Sequence, residues 1–475
     1  MKNLITVICL SLIMSQASVL YSQKTEERLT GSWIGHIVSS SMEIRLVFHI
    51  SSTAADTLMA TLDSPDQSVE GLKLGRVTNN DTIIRIDAPA LKIQYNGVLK
   101  NDTLIKGTWT QGGRDFPLDI SKMKGPLKYN RPQEPIPPFP YRSEEVRFRN
   151  NTEGFELAGT LTIPEGKGPF PAVVLITGSG YQDRNETIFN HKPFLVISDY
   201  LTRNGIAVLR YDDRGTASSG GNRNNATSET LASDAYSAVE FLASRPEINH
   251  KLTGLAGHSE GSLIAAITAA NHNDIGFIVS LAGPGIRGED LILRQSKDIM
   301  SLSGSDTASV NEYSRVMSYL YNIIVTEKDQ KSAYISAMQW FNTYLDGKGV
   351  PPEKRKDETS VFVKSVVAAN NPWFRYFLAT DPKQFWAKVK CPVLALNGEK
   401  DLQVYYRDNL AGISEGIKSG GNKQIKTMSF AGLNHLFQHC KTGLTTEYAT
   451  IEETFSPEVL KVISGWISDT AKSKK

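Results

Sequence analysis

Two hydrophobic rhythms divide the chain. From residue 29 to about 122, short apolar stretches alternate with polar positions and tight turns. Eight runs can be read there: Trp33–Val38, Glu43–Ser51, Leu58–Leu62, Gly71–Val77, Thr82–Ile86, Leu91–Leu99, Thr103–Thr110 and Phe116–Ile120. The second run alternates most clearly, with Ile44, Leu46, Phe48 and Ile50 on one face, as a half-buried strand requires. Asn79-Asn80-Asp81, Asn101-Asp102 and Gly112-Gly113 supply turn chemistry. The pattern predicts an all-β domain over 27–125, an up-and-down barrel or a sandwich.

From about residue 143 the rhythm changes. Near-continuous apolar runs at Pro171–Thr177, Ile206–Tyr211, Leu252–Gly257, Phe277–Gly283, Pro392–Asn397 and Ile425–Phe430 read as strands covered on both faces. Between them, residues such as Leu231, Ala235, Ala238, Val239 and Leu242 recur at helical spacing and predict a helix over Thr230–Ser244. The expectation is a mostly parallel sheet with helices on both sides, over 143–475. The segment between Gly283 and Pro392 is too long for an ordinary connection and predicts a helical cap at about 286–388. Its aromatics leave two readings open. They face a moderately apolar or sugar-bearing substrate, or they form the cap's own core. A linker at 126–142 carries five prolines between Arg131 and Pro140 and is expected to run as an extended spacer.

The first residues form a different pattern. Lys2 precedes an apolar run from Leu4 to Met14, and small residues follow at Ser15, Ala17, Ser18 and Ser22. That run is too short to span a bilayer and predicts a cleaved export signal over 1–23, hence a periplasmic or secreted protein. A lipid-anchored reading would need a cysteine directly after the run, and Cys9 lies inside it. Composition adds little: 40% hydrophobic and 21% charged residues with a net charge of +2 describe globular material. No Lys/Arg-rich run suggests nucleic-acid binding. Cys391 and Cys440 are placed at opposite ends of the predicted sheet and are expected to remain thiols, mostly buried. No cofactor or metal is expected, and no membrane span.

The chemistry concentrates at Gly257-His258-Ser259-Glu260-Gly261. In G-x-S-x-G the glycines permit a turn from strand to helix too tight for side chains, which exposes the serine hydroxyl at the sheet end. Gly412-Ile413-Ser414-Glu415-Gly416 fits the same pattern. Ser414 lies amid Leu410, Ile413 and Ile417 at helical spacing with no strand before it, so it reads as a solvent-facing helix residue. Ser259 follows an apolar strand and is the candidate nucleophile.

A serine hydroxyl needs a base. His435 comes just after the last core strand, at the sheet edge where ligands bind; His439 is the runner-up, and His191 is a weaker candidate. Asp401, past the strand ending at Asn397, is the expected orienting acid, with Glu399 as the neighbour to exclude. Ser259, Asp401 and His435 occur in the Ser…Asp…His order of one large fold. Donors for a developing oxyanion are expected from the backbone N–H groups of Glu260 and of Ser179, with Gly180 next. Asp212 and Asp213, with Arg214 and Gly215, are expected to fix a loop by hydrogen bonds.

With Gly178-Ser179-Gly180-Tyr181-Gln182-Asp183-Arg184-Asn185, Asp212-Asp213-Arg214-Gly215 and the Ser259 motif in view, residues 143 to 470 resemble the α/β-hydrolase superfamily. They are most similar to its bacterial esterases and serine-aminopeptidase-like proteins, which often carry a β-rich N-terminal domain. Position 181 often holds Pro in that pattern, and Tyr181 departs from it. The resemblance implies an α/β-hydrolase fold with a helical cap, preceded by a barrel-like domain. It also implies a serine hydrolase acting on a small-molecule ester. A peptidase or acyltransferase using the same residues is the alternative, and a binding protein on an inactive scaffold is a third reading. Substrate is less well specified than fold, because this superfamily hosts many chemistries.

Overall fold

The computed structural model describes residues 28–473 except 40–41, 54–56, 68, 81 and 128. The expected export signal lies outside the described residues. The chain divides into two compact units. One is essentially the chain up to Asn130, with residues 188–190 and 445–452; the other is Arg131–Thr187, His191–Leu444 and Glu453–Lys475.

The first unit is a closed antiparallel barrel. Its strands are β1 (Gly31–Ser39), β2 (Met42–Ser52), β3 (Leu58–Ser64), β4 (Val69–Asn80), β5 (Ile83–Ala88), β6 (Ile93–Asn101), β7 (Leu104–Gln111), β8 (Arg114–Pro117) and β9 (Ile120–Lys122). Each of the first seven pairs with the next, and β9 closes the ring by pairing with both β7 and β1. The last run read from the sequence is thus two pieces, β8 and β9, interrupted at Leu118 and Asp119. Closure removes the exposed edges that an open sheet would present. The interior is filled by side chains: Trp33, Phe48, Tyr95 and Trp109 are each at most 1% exposed. Phe48 meets Trp109 edge-on at 5.8 Å, and the buried Tyr95 hydroxyl donates to Leu118 O at 3.1 Å.

The second unit is built on an eight-stranded sheet. Its strands are β10 (Arg142–Asn150), β11 (Phe155–Ile163), β12 (Phe170–Ile176), β13 (Ala207–Tyr211), β14 (Ile248–His258), β15 (Ile278–Leu281), β16 (Val393–Gly398) and β17 (Ile425–Phe430). Their order is β10-β11-β13-β12-β14-β15-β16-β17. β12 to β17 run parallel, while β10 and β11 form an antiparallel edge that the apolar-run reading missed. β17 is the opposite edge, with exposed positions, rather than a strand covered on both faces. Helices Ser228–Ala243, Glu260–Asn271 and Tyr406–Ser419 bury one face of the sheet, and Pro193–Arg203 and Pro457–Ser473 bury the other. The first of these starts two residues before the predicted Thr230, because Thr227 caps it and Thr230 completes a reciprocal capping box.

Six helices lie between β15 and β16, from Gly288–Leu302 to Lys383–Trp386. Several of their aromatics form a core of their own, where Phe341 stacks on Phe362 at 3.9 Å beside Tyr321, whereas Phe377 and Trp386 are buried in the core under the sheet. The proline-rich segment is not a free spacer from residue 131 onward. Gln133 Oε1 accepts from the N–H groups of Thr454 and Phe455, and its amide donates to Phe455 O. Cys391 and Cys440 are both thiols, half-buried rather than buried. Among the described residues, no helix is long and apolar enough to cross a membrane.

Candidate active site

Ser259 stands between the last residue of β14 and the first of helix Glu260–Asn271. Its backbone is at φ 53°, ψ −122°, a region that residues with a Cβ rarely adopt. The turn is over-determined by its neighbours. Ser259 N–H donates to Leu281 O at 2.8 Å, and Ser262 N–H donates to Ser259 O at 3.0 Å. A Cβ on Gly257 would overlap the backbone of Gly261. One on Gly261 would overlap Ile176 O and come within 2.6 Å of Thr177 O. The two motif glycines therefore mark a close approach of β14, the helix and β12, as the spacing implies.

His435 and Asp401 are joined. His435 Nδ1 lies 2.7 Å from Asp401 Oδ2, with both residues buried. The other carboxylate oxygen accepts the N–H groups of Gln403 and Val404, each at 2.8 Å. An ionised carboxylate only accepts, so Nδ1 is the donor, and in the neutral ring Nε2 is the nitrogen with the lone pair. The His435 turn is shaped by Asn434, whose side-chain oxygen accepts the N–H groups of Leu436 and Gln438. Ser259 adjoins His258, whose ring centroid is 4.8 Å from that of His435. Glu399 turns away and accepts from Ser429 Oγ at 2.8 Å. His439 is exposed and bound to Glu453, while His191 is buried against Thr454 and Gln438.

The Ser179 and Glu260 side chains are joined, which the sequence reading did not foresee. Ser179 Oγ donates to Glu260 Oε2 at 2.8 Å. The buried Glu260 carboxylate also accepts from Ser228 Oγ at 2.6 Å and from Trp373 Nε1 at 2.8 Å. Trp373 belongs to helix Pro372–Ala379 between β15 and β16, so one aromatic of that segment does reach the residue after Ser259.

The motif after β12 is a brace. Gln182 N–H donates to Asp213 Oδ2, and Asp183 accepts from Asn185 and Thr187. Arg184 makes a bidentate pair with Asp212, while Asn185 accepts from buried Arg210. Asp213 also accepts from Thr177 and Arg223. Arg214 pairs with Asp234 and Glu153. Burial works to raise the Asp212 pKa, but the Arg184 hydrogen bonds and charge outweigh it and hold the carboxyl below its usual range. Asp212, Asp213 and Arg214 fix the loop, as expected.

Two other serines carry parts of the same signature. Ser414 lies in helix Tyr406–Ser419, half-exposed, as its apolar spacing predicts. On the barrel, Ser32 Oγ is 2.9 Å from His49 Nδ1, and His49 Nε2 is 2.7 Å from Asp63 Oδ2. Among the described residues, no group of three or more His, Cys, Asp or Glu side chains is placed to hold a metal ion.

The family described as X-Pro dipeptidyl-peptidase (S15 family) matches residues 153–413, more than half of the chain. Esterase EstD of Thermotoga maritima is 29% identical over 280 residues, 59% of this chain and 58% of that protein. Polyketide transferase af380 of Aspergillus fumigatus is 24% identical over 167 residues, 35% of this chain and 53% of that one. The chain therefore spans little more than half the length of the curated relatives it matches. Among solved structures, the Pyrococcus furiosus esterase Pf2001 covers 69% of this chain and 93% of its own, at 14% identity and a TM-score of 0.40. The α/β hydrolase GrgF from Penicillium covers 62% and 91%, at 19% identity and a TM-score of 0.39. With its N-terminal barrel and its α/β-hydrolase sheet, the chain belongs to the X-Pro dipeptidyl-peptidase (S15) family of hydrolases.

Proposed function

We propose that the protein cleaves carboxylic esters through an acyl-enzyme on Ser259. His435 Nε2 takes the Ser259 proton as Oγ attacks the ester carbonyl, and Asp401 holds the proton-bearing Nδ1. The developing oxyanion accepts from the backbone N–H groups of Glu260 and Ser179. The alcohol leaves with the proton from His435, and water, deprotonated by the same nitrogen, clears the acyl group. The observation that supports this reading is the strained backbone of Ser259 at a strand-to-helix turn, next to His258, whose ring centroid lies 4.8 Å from that of His435 in its buried pair with Asp401. Strain of this kind persists where the surroundings enforce it, commonly at reacting centres. The esterase name of the Thermotoga relative favours an ester over an amide.

A serine peptidase using the same three residues is the second reading, and the family description favours it. An acyltransferase, suggested by the transferase relative, would replace water with an acceptor alcohol. A panel of nitrophenyl esters and Xaa-Pro nitroanilides, assayed with wild type and Ser259→Ala, decides among them. The expected result is ester turnover by wild type, none by Ser259→Ala, and fluorophosphonate labelling of wild type alone. Equal turnover by both proteins would end the reading, and a preference for nitroanilides would replace it with the peptidase.

A further inference from the structure

The buried His258 ring faces an oxygen acceptor at each nitrogen. Nδ1 is 2.9 Å from Glu186 Oε1, and Nε2 is 3.0 Å from the backbone oxygen of His435. A carbonyl oxygen only accepts, and Glu186 Oε1 already accepts the Gly178 N–H at 2.7 Å. A neutral imidazole would leave one lone pair pointed at an oxygen, whereas an imidazolium donates on both sides. Phe194, Ile197, Leu281, Leu436 and Phe455 line the small cavity beside the ring, which has no room for a water. The titratable groups that face the ring are Glu186, Asp401 and His435. Burial alone would drive off the second proton; the charge and hydrogen bond of Glu186 outweigh it, and the His258 pKa is raised. Glu186 itself is held at φ 51°, a strained position for a residue with a side chain.

We propose that His258 is a buried imidazolium and that its ion pair with Glu186 is a positioning device, tying the His435 turn and the Gly178-Ser179 loop to the end of the nucleophile strand. The proposal rests on Ser259 being the nucleophile. Neither His258 nor Glu186 touches the substrate; the pair acts through the backbone of residues that do. Loss of the second proton at alkaline pH leaves one nitrogen facing an oxygen without a hydrogen, so one of the two ties breaks. Turnover then falls on the alkaline side.

Glu186→Gln tests this cleanly. Gly178 N–H and His258 Nδ1 meet the same oxygen. A glutamine with its carbonyl at that place keeps both hydrogen bonds and removes only the charge. The alkaline limb of kcat is expected to move down by about one pH unit or more. At pH 8, kcat should fall about tenfold with KM changed by less than about twofold, and the loss should be larger than at pH 6. A merely structural role would lower activity alike at every pH. In the full-length protein labelled with 15N-histidine, the His258 resonances, assigned by their loss in His258→Gln, should report two ring protons at pH 7 in wild type and one in Glu186→Gln. A neutral His258 in wild type at pH 7, or an unchanged pH profile in Glu186→Gln, overturns the proposal. Turnover retained by Ser259→Ala would instead defeat the nucleophile assignment, and the proton count on His258 would still be read independently.

Discussion

Replacing Asp401 by asparagine separates the chemistry of the site from its architecture. In the wild type, one carboxylate oxygen accepts two backbone N–H groups, from Gln403 and Val404, and the other faces His435 Nδ1 at 2.7 Å. The asparagine carbonyl will take the place of the first oxygen, because those two donors cannot turn. Its NH2 group must then face His435, whose Nδ1 becomes an acceptor. The ring proton moves to Nε2, the atom that receives the Ser259 proton in the proposed mechanism. The variant keeps its shape and holds the wrong tautomer. An exchange of this type lowers turnover by about 10³–10⁴-fold. That corresponds to roughly 4–5.5 kcal/mol of transition-state stabilisation. The stability cost is smaller. The hydrogen bond to His435, charge-assisted and worth about 1.5–3 kcal/mol, is exchanged for a neutral one worth about 1, so the net loss is about 0.5–2 kcal/mol.

The assay is steady-state hydrolysis of a short-chain nitrophenyl ester beside a thermal melt, with Glu399→Gln as the control. The exposed Glu399 side chain accepts from Ser429 Oγ, and its variant is expected within about twofold of wild type. The rate of fluorophosphonate labelling should drop with kcat, since both report the nucleophilicity of Ser259. A well-folded Asp401→Asn that retains a tenth or more of the wild-type kcat would refute the tautomer argument, and with it the role given to Asp401.

Two further perturbations probe the scaffold around the site. Gly261→Ala places a methyl group against the Ile176 and Thr177 carbonyl oxygens, which belong to backbone and cannot swing aside. Overpacking of that kind should destabilise the protein by about 1–3 kcal/mol and lower esterase turnover with it, read by urea unfolding and the same ester assay. Asp212→Asn breaks the bidentate pair with Arg184 and should cost about 3 kcal/mol at pH 7 in urea unfolding. The folded Asp212 pKa lies below its unfolded value, so its stabilisation is present above the ordinary carboxylate range and is lost as pH falls through the folded pKa. The difference between wild type and variant should therefore shrink at pH 3; a difference that stays constant from pH 7 to pH 3 would show that the pair contributes no charge-dependent stability.

Strands buried on both faces were the most legible part of the fold, because a run such as Val173–Ile176 has one physical explanation. β10 and β11 escaped that reading for the opposite reason. Arg142–Asn150 is an edge strand of alternating charges, and Phe155–Ile163 mixes Glu and Thr with apolar residues, so neither gives a continuous apolar run. The close approach at Gly257 and Gly261 and the surroundings of Asp401 and His435 could be anticipated from spacing, since each follows the end of a parallel strand. Glu186, Ser228 and Trp373 could not. They converge from a loop and two helices far apart in sequence, and no local pattern announces which polar side chain turns inward.

Three serines of this chain show why no single signature makes a nucleophile. Ser414 has the G-x-S-x-G spacing, but its glycines serve helix packing: a Cβ on Gly412 would overlap Gly285, and one on Gly416 would come within 2.8 Å of Trp386 Cβ. Ser32 has the hydrogen-bonded chain through a histidine to an aspartate, yet it lies within a regular strand paired in register with β2. No helix N-terminus follows it to supply oxyanion donors, and its histidine offers Nδ1 rather than a free Nε2. Of the three, Ser259 has the strained turn and a helix beginning at the next residue, and the imidazole proposed as its base has its Nδ1 bonded to a buried carboxylate. Spacing constrains the backbone and hydrogen bonds constrain the proton. Acyl transfer needs both constraints at one atom, which is why a probe that reports serine nucleophilicity should find Ser259 and pass over the other two.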